Sequence, residues 1–191
     1  TEGGAGVIER RCERRSLLRR PLVANIDQVV LVFAAREPDV NPVLINRFLV
    51  LAEWSKIERI VLCINKMDLL DGDGAEIPAL AALYREIGYP VCLLSTVTGE
   101  GVADMQSLVE EKTSVFAGSS GVGKSSLLNC LAPGIALSTG AVSEKIKRGR
   151  HTTRTAQLVP FAGGFLVDTP GFSATELAEI EPCALPGLFP E

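Results

Sequence analysis

Apolar runs alternate with stretches of helical spacing along most of the chain. Residues 28–35 (Q-V-V-L-V-F-A-A) are continuously apolar, as expected for a strand buried on both faces of a parallel sheet. Apolar residues in 42–55 recur at the spacing of one helix face. The same reading gives a strand at 59–64, a helix at about 75–87, a strand at 90–94, a helix at about 101–111, a strand at 113–117, a helix from 124 to 131, and strands near 155–161 and 164–168. This alternation predicts an α/β fold of three layers, with a mostly parallel sheet between helices.

Two regions interrupt this pattern. Residues 1–21 are rich in glycine and arginine and read as a linker or as the tail of another domain, while 133–154 read as a long polar loop. Open parallel sheets bind ligands beyond the carboxyl ends of their strands. Every motif described next follows a predicted strand or ends one.

Residues 118–125 lie between a predicted strand and a predicted helix and match the phosphate-binding pattern G-x-x-x-x-G-K-[ST]. Glycines let backbone N–H groups surround a phosphate, and the helix N-terminus favours its negative charge. We expect Lys124 to reach the β- and γ-phosphates and Ser125 to place its hydroxyl on Mg²⁺. The predicted phosphate-binding residues are Gly118, Ser119, Ser120, Gly121, Val122, Gly123, Lys124, Ser125 and Ser126.

A second motif selects the base. Asn65, Lys66 and Asp68 belong to an N-K-x-D tetrad directly after a buried strand. The Asp68 carboxylate can accept two hydrogen bonds from guanine N1–H and the exocyclic amine, whereas adenine would leave it unpaired. We expect the Lys66 stem to pack on the base and Asn65 to connect the motif to the phosphate loop.

Ser95 and Thr96 end the next strand and fit the loop whose backbone N–H contacts guanine O6. GTPases usually carry Ser-Ala at these two positions. Thr96 departs from that pattern, but the contact comes from the backbone N–H and does not depend on the side chain. The segment 168–171 (D-T-P-G) matches D-x-x-G. We expect Asp168 to hold Mg²⁺ and the Gly171 N–H to meet the γ-phosphate.

The loop between these motifs, residues 149–154, supplies the remaining candidates. Thr153, with Thr152 as the alternate, is expected to close on Mg²⁺ and the γ-phosphate. Phe172 occupies the position after D-x-x-G where many GTPases carry a glutamine that orients water. His151, the single histidine, is therefore the candidate for that task beside Lys124 and Thr153, although a solvated or RNA-contacting role stays open.

The order of the motifs is informative in itself. N-K-x-D precedes Ser-Thr, then the phosphate loop, the switch threonine and D-x-x-G. This is a cyclic permutation of the usual GTPase order, which a fold tolerates when its termini are close. The sequence thus predicts a circularly permuted P-loop NTPase fold that binds GTP and GDP.

Composition and charge narrow the class of protein only slightly. The 191 residues are 47% hydrophobic with net charge −4, and they contain no apolar run long enough to span a bilayer. Arginines cluster at 10–20 and basic residues at 145–154, where RNA contacts are one interpretation and a solvated linker the other. The five cysteines lack ligand-like spacing, so we expect free thiols in a reducing compartment and no zinc.

These motifs together resemble the circularly permuted, small-ribosomal-subunit-dependent GTPases of the RsgA/YjeQ/EngC type. The resemblance covers about residues 19–191. Its marks are Arg20-Pro21, Ala24-Asn25-Ile26-Asp27-Gln28, Asn65-Lys66-Met67-Asp68, the phosphate loop with Ser126-Leu127-Leu128-Asn129, Gly149-Arg150-His151-Thr152-Thr153, Asp168-Thr169-Pro170-Gly171-Phe172, and Phe189-Pro190-Glu191.

The resemblance implies a Mg²⁺-dependent GTPase of late small-subunit maturation. Residues 1–21 would be a linker or the tail of an N-terminal OB-fold, 22–171 the permuted GTPase domain, and 172–191 switch II and the start of a C-terminal region absent here. The implied partners are the small ribosomal subunit and its rRNA, with no membrane. We expect a monomer in the bacterial cytoplasm, or in an organellar stroma or matrix.

Two alternatives remain open. A permuted GTPase acting on the large subunit would share the motif order, although His-Thr-Thr and the Arg-Pro and Asn-Ile-Asp-Gln segments favour the small-subunit type. A non-catalytic nucleotide-dependent docking module is the other, and the intact Lys124, Ser125 and Asp168 weigh against it.

Overall fold

A computed structural model describes residues 13–18, 23–70, 75–133, 157–168 and 180–190. The predicted helices and strands are confirmed with small differences at their ends, and two further strands of two residues each were not predicted. In chain order they are β1 (Leu17–Leu18), β2 (Val23–Ala24), β3 (Gln28–Ala34), α1 (Pro42–Trp54), β4 (Arg59–Asn65), α2 (Glu76–Ile87), β5 (Val91–Leu93), α3 (Val102–Val109), β6 (Thr113–Ala117), α4 (Lys124–Leu131), β7 (Gln157–Phe161) and β8 (Gly164–Asp168). Short 3₁₀ helices span Met67–Leu69 and Pro182–Leu188.

Six of these strands form one sheet in the order β5-β4-β3-β6-β8-β7. The pairs β3–β4, β4–β5, β3–β6 and β6–β8 are parallel, and β7 alone among them runs antiparallel, at the edge beside β8. The phosphate-loop strand β6 is therefore central, between β3 and β8. The predicted α/β class with a mostly parallel sheet is confirmed.

Helices cover both faces of this sheet. Alternate residues of a strand point to opposite faces, and β3 is buried on both. On one face Leu31 and Phe33 pack with α1 and α2, and the Phe33 ring meets Phe48 edge to face with centroids 5.5 Å apart. On the other face Val30 and Val32 pack with residues of α3 and α4. The result is the three-layer arrangement.

Helix α1, which covers the first face, begins at a side-chain cap. Asn41 Oδ1 accepts hydrogen bonds from Val43 N at 3.0 Å and Leu44 N at 3.3 Å, and Pro42 occupies the first turn. An asparagine cap satisfies N–H groups that have no partner within the helix, and proline suits this position because it lacks an N–H. The cap therefore fixes the residue at which the helix covering this face begins.

The connection required by the permutation is short. Residues 110–112 link α3 to β6, which would be the last helix and first strand in the unpermuted order. Glu111 N donates to the Ala162 carbonyl at 2.9 Å, and Phe165 N donates to the Lys112 carbonyl at 3.0 Å. This junction is thereby held against the turn between β7 and β8.

Residues 13–18 belong to the region predicted to be a linker or the tail of another domain, and they contact the rest of the described chain. Leu18 is fully buried in the core on the α1 side, and β1 pairs antiparallel with β2. Asn25 accepts from Arg15 N at 2.8 Å and donates to the Glu13 carbonyl at 3.0 Å. The predicted boundary at residue 21 therefore lies between the paired strands β1 and β2. The assignment of residues 1–21 to a linker or to the tail of an N-terminal OB-fold stays a prediction.

Residues 180–190 also lie on the α1 side. Ile180 is buried in that core, and Leu185 and Leu188 pack against it half-buried. The described parts of both terminal regions thus contact the same face of the sheet. Within the described ranges, no helix is long and apolar enough to cross a membrane.

Candidate nucleotide-binding site

The predicted motifs converge at the carboxyl edge of the sheet. N-K-M-D begins at the end of β4, Ser95 follows β5, and the phosphate loop follows β6. Asp168 is the last residue of β8, and its backbone pairs with Phe116 of β6. Four segments far apart in sequence therefore end at one place, where open α/β sheets bind ligands.

Two glycines of the phosphate loop are required by their surroundings. Gly118 (φ +152°) and Gly123 (φ +92°) have backbone conformations that other residues rarely adopt. A Cβ on Gly118 would collide with the Val32 carbonyl, and one on Gly123 would collide with the Asn65 amide. The loop consequently lies directly against β3 and the guanine motif.

Lys124, the first residue of α4, folds back over this loop. Its Nζ donates to the carbonyls of Gly118 and Ser119, both at 2.7 Å. Ser125 and Ser126 follow in the first turn of α4 and are half-buried, as Lys124 is. The ammonium thus sits within the loop that is expected to surround phosphates.

Asn65 joins two of the motifs through one buried side chain. Its Nδ2 donates to the Val122 carbonyl at 3.0 Å, and its Oδ1 accepts from Thr96 N at 3.2 Å. The residue is fully buried at the end of β4. A single amide therefore fixes the phosphate loop relative to the Ser-Thr loop.

Ser95 connects the parts of the loop that is predicted to read the base. Its hydroxyl donates to Asp68 Oδ1 and accepts from Val97 N at 3.2 Å and Thr98 N at 3.1 Å. Ser95 is fully buried, whereas the Asp68 residue remains exposed. The hydroxyl thereby orients the carboxylate while leaving it accessible to a base.

Lys66 adopts the left-handed conformation (φ +62°) at the start of the Met67–Leu69 turn. Its Nζ donates to the Glu37 carbonyl in the loop after β3. Met67 N donates to the Leu94 carbonyl at 3.2 Å, which ties the turn to β5. The lysine stem thus runs across the end of the sheet.

Two hydrogen bonds made by side chains in the described part of this site involve residues outside every motif. Glu37 is one, through its bond to Lys66, and Cys130 is the other, whose Sγ donates to the Thr96 carbonyl at 3.7 Å. No local sequence pattern marks either residue, since both contacts depend on tertiary placement. Sequence reasoning therefore had no signal for them.

Several predicted residues lie outside the described ranges. These are His151, Thr152, Thr153 and Gly171, and the side chain of Asp168 is likewise not described. Their proposed roles stay predictions. In the described part of the chain, no group of three His, Cys, Asp or Glu residues is arranged to hold a metal ion.

The strands beneath the guanine motifs carry two buried thiols. Cys63 of β4 pairs in register with Cys92 of β5. Burial raises the pKa of Cys63 well above its ordinary value. Burial, with a smaller contribution from Asp104, raises the pKa of Cys92 to about 11, while Arg85 opposes this shift. Both thiols are therefore protonated, inert packing groups at neutral pH.

A glycine-rich loop between a central strand and a helix, tied by a buried asparagine to the Ser-Thr loop, defines a P-loop nucleotide-binding domain. The order of its strands along the chain makes it a circularly permuted one. The family model of the RsgA GTPase matches residues 10–178, and the chain belongs to this family.

Curated relatives agree with this assignment. The chain is 47% identical over 192 residues to the small ribosomal subunit biogenesis GTPase RsgA of Thermotoga petrophila, covering 100% of this chain and 64% of that protein. It is 50% identical over 187 residues to the protein of the same name from Geobacillus thermodenitrificans, covering 97% and 64%. The Bacillus subtilis protein is 47% identical over 181 residues, with 94% and 60% covered. The chain thus spans less than two thirds of their length.

Solved structures show the same fold. YjeQ from Thermotoga maritima superposes with a TM-score of 0.81 at 44% identity, covering 98% of this chain and 63% of that one. YloQ, described as a circularly permuted GTPase, gives 0.74 at 42% identity, covering 94% and 56%. The resemblance and the permuted topology inferred from motif order are confirmed.

Proposed function

We propose that this chain binds GTP, hydrolyses it to GDP and phosphate, and acts as a switch in maturation of the small ribosomal subunit. The observation that carries the proposal is the bridge made by Asn65, which holds the phosphate loop at Val122 and the Ser-Thr loop at Thr96. A base-reading element and a phosphate-binding element are thereby fixed in one site. The relatives that cover this chain are named small ribosomal subunit biogenesis GTPases.

Guanine is read by Asp68 in this proposal. Ser95 orients the carboxylate, which accepts from guanine N1–H and the exocyclic amine. The Lys66 stem packs on the base, and the loop at Thr96 meets O6. Adenine would desolvate this carboxylate without pairing it, and that penalty provides the discrimination.

Phosphates bind along residues 118–126. The Lys124 ammonium leaves the carbonyls of Gly118 and Ser119 for the β- and γ-phosphate oxygens, which are stronger acceptors. Backbone N–H groups of the loop and the N-terminus of α4 supply the remaining donors.

Ser125 and Asp168 are proposed to hold one Mg²⁺, and Thr153 joins when a γ-phosphate is present. Ser125 and Asp168 belong to neighbouring elements. Ser125 is in α4, which follows β6, and Asp168 ends β8, which pairs with β6. Hydroxyl and carboxylate oxygens are the hard ligands that Mg²⁺ prefers. The ion would neutralise charge on the β- and γ-phosphates, and no zinc is proposed for this chain.

Hydrolysis requires a water positioned in line with the γ-phosphorus. Phe172 cannot orient it, so we assign that role to His151, with Lys124 and Thr153 stabilising the transferred group. The Gly171 N–H is placed on the γ-phosphate. The water oxygen forms the new bond to the γ-phosphorus, and the bond between the γ-phosphorus and the β–γ bridging oxygen breaks. GDP keeps that oxygen, and both protons of the water leave with inorganic phosphate as H₂PO₄⁻.

The proposed partner is the small subunit of bacterial ribosomes in the cytoplasm, approached by a monomer. The arginines at 10–20 and the basic residues at 145–154 would contact rRNA phosphates. Residues 1–21 and 172–191 would connect the nucleotide domain of 22–171 to flanking regions.

The test is single-turnover hydrolysis of GTP by this chain alone, with purified small subunits, and with purified large subunits. We expect small subunits to accelerate turnover and large subunits to leave it unchanged. Competition with ATP, GDP and ADP in the same samples measures base selectivity. Equal affinity for ATP and GTP, or no hydrolysis in any sample, would contradict the proposal.

A further inference from the structure

We propose that Glu37 is a positioning residue for guanine binding, acting through Lys66. Residues 35–39, which follow β3, are here called the β3–α1 bridge. The carbonyl of Glu37 in this bridge holds the Lys66 ammonium, so that the lysine stem stays where a guanine base would lie. This inference rests on the proposed assignment of the guanine site.

The bridge lies between the two halves of the site. Strand β3 has β4 on one side, which ends in the guanine motif, and β6 on the other, which ends in the phosphate loop. Ala35 N donates to the Asn65 carbonyl at 2.8 Å, so the bridge begins attached to the guanine motif. Pro38, in the middle of the bridge, lies close to the phosphate loop. Its Cδ is 4.0 Å from the point where a Cβ on Gly121 would be.

Both the backbone and the ammonium of Lys66 have defined positions in the structure. Its backbone is in the left-handed region, and its Nζ donates to the Glu37 carbonyl. A free lysine side chain samples many rotamers, and ordering them opposes binding. Because the bond to Glu37 exists before a ligand arrives, the stem is preorganised, and GDP does not have to order it.

The position of this carbonyl depends on an unusual backbone conformation. Glu37 has φ of +51°, which non-glycine residues seldom adopt and β-branched residues least of all. Arg36 and Asp39 form an exposed ion pair at 3.8 Å across the turn. The side chain of Glu37 is exposed, so what the site uses is the backbone of this residue and not its carboxylate.

The experiment changes the backbone preference at residue 37 and measures binding with and without a base. Glu37→Val should weaken GDP binding by roughly tenfold and leave pyrophosphate binding unchanged, because pyrophosphate has no base for Lys66 to cover. Glu37→Gly, which adopts this φ freely, should recover the affinity lost in Glu37→Val. The matched control is Lys56→Val, since Lys56 has φ of +53° in the turn after α1, away from the site. It should carry the same backbone strain with parental GDP affinity.

A double-mutant cycle tests whether Glu37 acts on GDP binding through Lys66. In a Lys66→Met background, which keeps an unbranched stem without the ammonium, Glu37→Val should have no further effect on GDP binding. If Glu37→Val does not fold, as judged by its thermal transition, Lys66→Met alone decides. It should bind GDP more weakly than the parent and pyrophosphate equally well.

Any one of four results would overturn the inference. Two concern Glu37→Val, namely parental GDP affinity in the folded variant or equal losses for GDP and pyrophosphate. The third is effects that add fully in the cycle, and the fourth is parental GDP affinity in Lys66→Met. Failure of the proposed function is a different result, because the parent itself would then bind ADP as tightly as GDP.

Discussion

Asn65 is the residue on which the geometry of the site depends most. It is fully buried and satisfies the Val122 carbonyl and the Thr96 N–H at the same time. Removing such a side chain takes this partner away from both backbone groups, and an unpaired buried polar group is costly. Its effect should therefore reach both motifs together.

We expect Asn65→Ala to lower the free energy of unfolding by about 2–4 kcal/mol and to weaken GDP binding strongly. Asn41→Ala is the matched control, because it removes a helix cap worth about 1 kcal/mol whose described hydrogen bonds go to Val43 and Leu44 and to neither loop. Denaturant titration and fluorescent GDP titration measure the two effects. Equal nucleotide affinity in the two variants would contradict the role given to Asn65.

Asp68 is expected to determine the base. Asp68→Asn should shift preference from guanine toward xanthine nucleotides, since an amide can donate to the xanthine C2 oxygen where the carboxylate cannot. The Ser95 hydroxyl can donate to an amide oxygen as it does to the carboxylate, so the loop should stay in place. Competition of GDP against XDP checks this, and unchanged preference would remove Asp68 from base recognition.

His151 is expected to act in turnover and not in binding. His151→Ala should leave GTP affinity nearly intact while lowering subunit-stimulated hydrolysis roughly tenfold or more, about 1.4 kcal/mol of barrier. Single-turnover rates with small subunits measure this. A variant with parental stimulated turnover would exclude the residue and direct attention to a group supplied by the subunit.

At the scale of elements, the turn from β6 into α4 tolerates least change. Gly123→Ala would force a left-handed alanine whose Cβ collides with the Asn65 amide. We expect it to abolish measurable GDP binding. Gly88→Ala at the end of α2 is the control, with φ of +112° but open space around it. Gly88→Ala should lose a similar amount of stability through backbone strain and keep its GDP affinity. Equal GDP affinity in Gly88→Ala and Gly123→Ala would show that the close approach of Gly123 to Asn65 does not matter for binding.

Elements with strong local signals were predictable from sequence. Strand β6 and helix α4 match their expected ends, because the phosphate-loop motif marks both boundaries. Strands β1 and β2 were not predicted, since two residues each carry no periodicity. The motif residues were located as well, and their binding roles stay predictions.

Other features of the site depend on tertiary contacts that no local pattern encodes. The hydroxyl of Ser95 reaches Asp68 across two loops, and the carbonyl of Glu37 reaches Lys66. The residue types at the site could be read from the sequence, but these two hydrogen bonds could not. The left-handed backbone at Glu37 is also invisible in sequence, because glutamate has no preference for it.

At the scale of the whole molecule, stability should fall at alkaline pH. The pKa of the Cys92 thiol is raised to about 11 by burial in the folded state, against an ordinary value near 9. The unfolded chain releases this proton first, so the stabilising contribution is full below the ordinary pKa and is lost as pH rises through the folded one. We expect a loss of about 2 kcal/mol between pH 9 and 11 from this group.

Denaturant titrations at several pH values test this, with Cys92→Ala as the comparison. The variant should show a shallower decline over the same range, although its packing differs. Cys63, also buried with a raised pKa, adds a decline in the same direction in both proteins. Identical slopes would show that the Cys92 thiol is not protected in the native state.

The central place of β6 also has a consequence for synthesis. A ribosome producing this chain completes β3, β4 and β5, with the guanine-reading segments, before it adds the phosphate-loop strand. Until β6 pairs with β3, where Gln28 meets Ser114, one side of β3 has no neighbour. Pairing so distant in sequence is slow to form, and an unpaired strand is exposed to wrong partners. The nascent chain therefore completes the segments expected to read the base first, and the phosphate loop joins them only after most of the domain has been translated.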